Sequence, residues 1–307
     1  MANRIKEKYM AGKRYFDYPM LFLVIFLICF GLVMIYSTSS YKSTVTYGNS
    51  YHWLLRQAVA IVLGAVAMVV CCKLDYHIIK SEKFGNGCYW ASIVLLVLVL
   101  IIGAAKKGAV RWISIAGFQF QPSEVSKILV VIYLANRLSA NAHKIRTFKD
   151  SIVIVLPTVP IIALIVTQNL STALVVCSMI GVMLFVVSPK MKELMLTAGG
   201  GIILLFVYLL TANSYRNERV QIWLHPESHK KGFQTMQALY AIGSGGIFGK
   251  GLGQSMQKMG FIPESHNDMI FSIICEELGL FGAVCLILVF VALIFRMLLI
   301  ALNTEDL

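Results

Sequence analysis

Apolar runs separated by short polar or basic stretches recur along the chain, and their length is the first thing they say about it. They fall at about Pro19–Tyr36, Leu54–Cys72, Cys88–Ala105, Pro122–Arg137, Ile152–Val166, Leu170–Val187, Leu194–Leu210 and Ile270–Leu299. A helix of about 20 apolar residues crosses the hydrocarbon core of a bilayer. An open sheet would leave backbone groups unpaired in lipid, so the runs predict helices. The expected fold class is an all-α polytopic membrane protein with about eight transmembrane helices. A long polar segment, 211–269, stays outside the hydrocarbon between the seventh and eighth.

Composition agrees with this. Of 307 residues, 58% are hydrophobic and 14% charged, against about 25% charged in soluble domains. A net charge of +12 raises the question of nucleic acid, but the cations sit in loops between spans rather than on one soluble face. With the amino terminus in the cytoplasm, inside loops collect the basic clusters at 4–14, 73–83, 137–149 and 190–192, together with Arg296. The short loop before the second span carries only Lys42. That asymmetry follows the positive-inside rule. A basic cluster at 106–111 and the basic 211–269 segment then lie outside, where an anionic ligand would account for them. The basic start before the first run reads as a signal anchor rather than a cleaved leader.

Two further classes drop out. The seven cysteines lie in or at the ends of apolar runs, without the spacing of a disulfide framework, and read as packing residues. The six histidines form no metal-binding pattern. A glycine-rich stretch around Gly249-Lys250 resembles a phosphate loop, but that pattern requires glycine at 244 and Ser or Thr at 251, which are Ser244 and Gly251 here. Nucleotide binding is therefore not expected.

The chemistry concentrates in residues 243–282, GSGGIFGKGLGQSMQKMGFIPESHNDMIFSIICEELGLFG. Its glycines read either as a flexible re-entrant loop or as a backbone open to close approach by a bulky ligand. Acids at the edge of, or inside, an apolar span are functional-site candidates. Asp268, Ser272 and Glu276 recur every four residues, which on a continuous helix puts them on roughly one face; an acid at a helix start also needs no function beyond the dipole. Gln121-Pro122-Ser123-Glu124 opens the fourth span, and Glu124 and Lys127 are spaced to pair. Lys106, Lys107, Arg111, Arg216, Arg219, Lys230, Lys231, Lys250 and Lys258 form a basic set suited to a diphosphate.

Several stretches together resemble the FtsW/RodA/SpoVE group of bacterial membrane proteins, also called the SEDS family. They are FDYPMLFLVIFLICFGLVMIYSTSS, LLRQ, GAVRWISIAGFQFQPSEVSK and QALYAIGSGGIFGKGLGQSMQKMGFIPESHNDMIFSIICEELGLFG. They run in family order over nearly the whole chain, and the loops look slightly more like the division member. The resemblance implies a peptidoglycan glycosyltransferase of the cytoplasmic membrane that polymerises lipid II on its outer face. The implied partners are a class B penicillin-binding protein and other divisome or elongasome membrane proteins, with no nucleic acid. The family's essential acid falls on Asp268, and its paired acid and lysine fall on Glu124 and Lys127.

In such a transfer one carboxylate takes the acceptor's proton and cations stabilise the departing diphosphate. The expected base is Asp268. Arg111, Glu124, Lys127, Arg216, Lys250, Lys258 and Glu276 are the expected substrate contacts, with a divalent cation (Mg or Mn) as a possible aid. Two departures stand out. Asn169 replaces the aspartate of the family's Asp-Leu-Gly-Thr-Ala run, and eight spans replace the usual ten, which reads as a truncation. A lipid II flippase and a non-catalytic scaffold of the wall-synthesis complex are the competing readings.

Overall fold

The computed structural model describes residues 16–106, 109–115, 118–142, 145, 148–187, 221–229 and 232–303. The expected seventh span, 194–210, lies outside them. The chain divides into two compact units, one formed by 1–72 with 213–307 and the other by 73–212.

The first unit contains α1 (Tyr18–Tyr47), α2 (His52–Lys73), α8 (Phe233–Gly245) and α9 (Ile270–Asn303). Helix α1 starts on Asp17, whose Oδ1 accepts the Met20 N–H at 2.9 Å, as expected of an N-cap. It runs eleven residues beyond the expected Tyr36, through a hydroxyl-rich stretch that the hydropathy alone left outside the helix. The hydroxyls turn back onto the helix: Thr38 Oγ1 donates to Met34 O at 2.8 Å and Thr44 Oγ1 to Ser40 O at 2.9 Å. Polar side chains satisfied in this way survive in a helix facing protein or lipid. Gly48, at φ 67°, ends the helix in the left-handed conformation.

Helix α9 packs against both α1 and α8. Arg296 Nη2 donates to Asp17 Oδ2 at 2.6 Å, tying the start of α1 to the last third of α9. The expected single span from Ile270 is interrupted at Gly279 (φ 68°, ψ −170°). The stretch after the break, about 24 residues, is roughly 36 Å long at 1.5 Å per residue, enough to cross a bilayer alone.

The second unit contains α3 (Glu82–Ile102), a three-stranded antiparallel meander, α4 (Pro122–Asn141), α5 (Phe148–Val155), α6 (Val159–Gln168) and α7 (Leu170–Val187). Ser81 caps α3 by accepting the Phe84 N–H, so the helix begins six residues before the apolar run does. Pro157 and Pro160 divide the expected fifth span into α5, a 3-10 turn and α6, since each proline removes an N–H from the helical ladder. The strands β1 (Ala104–Lys106), β2 (Ala109–Ile115) and β3 (Phe118–Phe120) fill what hydropathy marks only as a polar loop. Leu96, Val130, Leu134, Ile161, Ile165, Val176 and Ile180 form the core of this unit. Gln168, almost fully buried, donates to Leu96 O at 3.1 Å.

Six described helices are long and apolar enough to cross a membrane: α1, α2, α3, the α5–α6 stretch, α7 and α9. Helix α4 is less apolar, but its 20 residues give about 30 Å of rise.

Candidate functional site: a glycine loop locked to a broken helix

In an unbroken α9 the N–H groups of Leu280 and Phe281 would bond to Glu276 O and Glu277 O. The break at Gly279 frees all four groups, and the glycine-rich segment after α8 takes each of them. Leu280 N donates to Gly246 O (2.9 Å) and Phe281 N to Ile247 O (3.0 Å). In return, Lys250 N donates to Glu276 O and Gly251 N to Glu277 O, both at 2.9 Å. No backbone polar group is lost in this exchange, which is the condition for irregular backbone among membrane helices.

Glycine is required here for approach between two chain segments. A Cβ on Gly249 would overlap Glu277 O and Gly279 N, and one on Gly279 would overlap Gly249 N and Ile247 O. Gly279 also occupies a backbone region that is essentially restricted to glycine. The glycines expected either to flex or to admit a ligand thus serve at this contact to seat the loop on α9.

The same contact organises two carboxylates. Glu276 and Glu277 are both fully buried. Glu276 Oε1 accepts from Lys250 Nζ (2.7 Å), which also donates to Ser244 Oγ (2.9 Å), while Glu276 Oε2 accepts from Ser255 Oγ (2.5 Å). Glu277 Oε1 accepts from Lys258 Nζ (2.8 Å), and Ser37 Oγ of α1 lies 2.7 and 2.8 Å from its two oxygens. Two buried anions meet two cations, so the burial is neutralised and each charge keeps hydrogen bonds, as stable burial requires. The expected substrate contacts Glu276, Lys250 and Lys258 are therefore joined as an internal network. Lys258 is buried with Glu277, whereas the Lys250 side chain is 35% exposed.

Asp268 is arranged differently. Helix α9 begins at Ile270, so Asp268 stands in the preceding turn, off the helical face that its spacing with Ser272 and Glu276 suggested. It is exposed, while Ser272 and Glu276 are buried. The turn beneath it is held tightly. Ser265 Oγ donates to Thr38 O at 3.3 Å, and the buried His266 ring lies against Trp53, centroids 4.7 Å apart. Burial chiefly, then the charge of Lys42, holds the His266 pKa below its ordinary 6.5, with Glu264 pulling the other way. Asn267 Nδ2 donates to Glu264 Oε2 at 3.0 Å. A groove of about 590 Å³ in this unit runs beside α1, from Tyr36 and Ser37 to Lys258 and Met259.

In the second unit the expected pair forms: Lys127 Nζ lies 2.8 Å from Glu124 Oε2 at the start of α4, with the carboxylate 54% exposed. Arg111 belongs to β2. Its side chain, and Arg216, Arg219, Lys230 and Lys231 entirely, lie outside the described residues. The seven cysteines are all free. Among the described residues no three His, Cys, Asp or Glu side chains gather as a metal site.

Sequence reading missed Ser37, Ser244, Ser255, Ser265, the pairing of Lys258 with Glu277 and the Trp53–His266 contact. The polar run Tyr36–Ser40 inside an otherwise apolar helix was the available signal, since a hydroxyl stripe in such a helix needs a polar partner.

Comparison with known proteins identifies the family and the fold. The chain is 35% identical over 301 residues to the probable peptidoglycan glycosyltransferase FtsW of Geobacter metallireducens, covering 95% of this chain and 78% of the relative. It is 34% identical to the stage V sporulation protein E of Bacillus subtilis, covering 95% and 80%. Its fold resembles a chain of a peptidoglycan synthase complex that coordinates polymerization and crosslinking, with a TM-score of 0.77 at 27% identity over 96% of this chain and 81% of that one. The Thermus thermophilus rod shape determining protein RodA superposes with a TM-score of 0.66 at 26% identity, covering 96% and 78%. Residues 18–307 match the family of cell cycle proteins typified by FtsW, RodA and SpoVE, and the chain belongs to that family.

Proposed function

We propose that this chain is a peptidoglycan glycosyltransferase of the bacterial cytoplasmic membrane, polymerising lipid II at the outer face with Asp268 as general base. One observation carries the residue assignment. Of the acids between 264 and 277, Glu276 and Glu277 are buried against lysines and Glu264 is bonded to Asn267, whereas Asp268 is exposed on a braced turn. A base needs both access and a fixed position, and Asp268 combines them.

In this reading the acceptor sugar hydroxyl attacks the anomeric carbon of the donor. The new O–C bond forms as the bond to diphosphate breaks, and the hydroxyl proton passes to Asp268. Diphosphate leaves without protonation, so a second acid of the glycosidase type is not needed. Lys250, its side chain 35% exposed, is the described cation in the same unit as Asp268, and Lys127, Arg111 and Arg216 stay candidates for the leaving group from the sequence. Lys250 contributes from its exposed portion, while Lys258 serves Glu277. A divalent ion, Mg or Mn, would be held chiefly by substrate phosphates, as small hard cations commonly are. It would supply charge to the departing diphosphate. A class B penicillin-binding protein is the proposed partner, in keeping with the resemblance to the synthase-complex chain.

The test is glycan synthesis from lipid II in liposomes containing this chain and such a transpeptidase. Glycan strands support the transferase. Movement of labelled lipid II across the bilayer without glycan would replace it with the flippase, and neither activity, with partner activation intact, would leave the scaffold.

A further inference from the structure

The second unit holds a cavity of about 460 Å³ where α3 begins and α4 ends, at the opposite end of α4 from Glu124 and Lys127. Its walls include Lys80, Glu82, Asn86, Tyr133, Asn136 and Arg137. Arg137 is its most telling component. The guanidinium lies over the Tyr133 ring, 5.7 Å from its centroid, and Nη1 donates to Tyr133 Oη at 3.0 Å. Its Nε is buried without a hydrogen-bond partner, and among the described residues no carboxylate pairs with the guanidinium. The guanidinium thus brings to the cavity wall a charge with no carboxylate against it among the described residues.

The cavity is also built rather than incidental. Tyr133, 3% exposed, is held against Tyr89 with ring centroids 4.9 Å apart, which fixes the platform for Arg137. Asn136 Nδ2 donates to Ile79 O at 2.6 Å, pinning the turn that carries Lys80. Gly85 leaves the space for that amide, since a Cβ there would fall 2.7 Å from Asn136 Nδ2.

We propose that this cavity binds the phosphodiester headgroup of an anionic membrane lipid. Two cations, Lys80 and Arg137, face one carboxylate, Glu82, so the lining carries a single net positive charge. A phosphodiester has one negative charge and matches it, whereas the second charge of a free phosphate dianion is opposed by Glu82. Guanidinium is the preferred fork for phosphate oxygens, and basic pockets between membrane helices accept such headgroups. The flanking clusters at 73–83 and 137–149 put this end toward the cytoplasmic leaflet by the positive-inside rule.

The 307-residue chain, delipidated in detergent, is titrated with phosphatidylglycerol, phosphatidylcholine and inorganic phosphate, with bound ligand counted by native mass spectrometry. Phosphatidylglycerol is expected to bind in preference to phosphatidylcholine. Arg137→Gln should weaken it about tenfold, the usual scale for losing a charged hydrogen bond, and Arg137→Lys should retain part of the affinity. Lys80 is exposed in its turn, so Lys80→Glu tests the site without touching packed residues and should also weaken binding. Equal binding of both lipids, or phosphatidylglycerol binding untouched by Lys80→Glu and Arg137→Gln, would overturn the site. Inorganic phosphate binding as tightly as the lipid would overturn the headgroup assignment.

Discussion

Lys258 and Glu277 meet at 2.8 Å, with the lysine 6% exposed and the glutamate fully buried. Ser37 of α1 completes the contact, 3.0 Å from Lys258 Nζ. The pair joins three parts of one unit: the first helix, the glycine loop and the broken helix. Removing one member of such a pair strands the other charge. Glu277→Gln and Lys258→Met should therefore each cost about 3–5 kcal/mol. Replacing both with apolar residues of similar volume should cost much less than the two single changes combined. Thermal or denaturant unfolding of the four proteins in one detergent checks the cycle.

Gly279→Ala should be as damaging, for a different reason. Its backbone region costs a non-glycine residue about 1–3 kcal/mol, and the added Cβ meets backbone at Gly249 and Ile247 that cannot swing away. The four-bond exchange between loop and helix should open. Increased protease cleavage between 246 and 260, with the rest of the chain protected, is the expected readout.

The helices and the candidate motif were legible in the sequence for physical reasons. A run of apolar residues about 20 long has few alternatives in lipid, and acids beside it stand out because they are expensive there. Pairing of Glu124 with Lys127 was legible because three residues along a helix return to the same face. The Gly279 break was not: Ile270–Leu299 is apolar apart from Ser272, its two acids and Arg296, and a missing helical hydrogen bond has no hydropathy signature. Nor was the partnering of Glu276 and Glu277, since 26 and 19 residues of mostly irregular chain separate them from Lys250 and Lys258. Helix α1 was underestimated because Ser and Thr read as helix-ending residues until their hydroxyls are seen bonding back to the preceding turn.

His266 makes the turn below Asp268 sensitive to acid. Its folded pKa lies below 6.5, so at neutral pH it is uncharged both folded and unfolded. As pH falls through 6.5, the unfolded chain takes up the proton first and stability declines, levelling off only below the folded pKa. The wild-type protein should lose stability between neutral pH and about pH 5. His266→Gln should remove that part of the pH dependence while leaving the remainder, as followed by unfolding midpoints across the pH series.

Glu124→Gln should separate activity from stability. The ion pair with Lys127 is largely exposed on the carboxylate side, and such pairs contribute roughly 0–1 kcal/mol. The unfolding midpoint should hardly move, while glycan synthesis should fall. An unchanged rate would remove Glu124 and Lys127 from the substrate contacts.

The most direct measurement compares Asp268→Asn with Glu277→Gln in lipid II polymerisation with the transpeptidase present, each paired with an unfolding midpoint. Asp268→Asn should abolish glycan while unfolding within about 0.5 kcal/mol of wild type, as substitutions of exposed side chains generally do. Glu277→Gln should lose stability, and activity only as the fold is lost. Normal glycan from Asp268→Asn, or a Glu277→Gln protein that is fully stable yet inactive, would contradict the division between an exposed base and a buried structural acid.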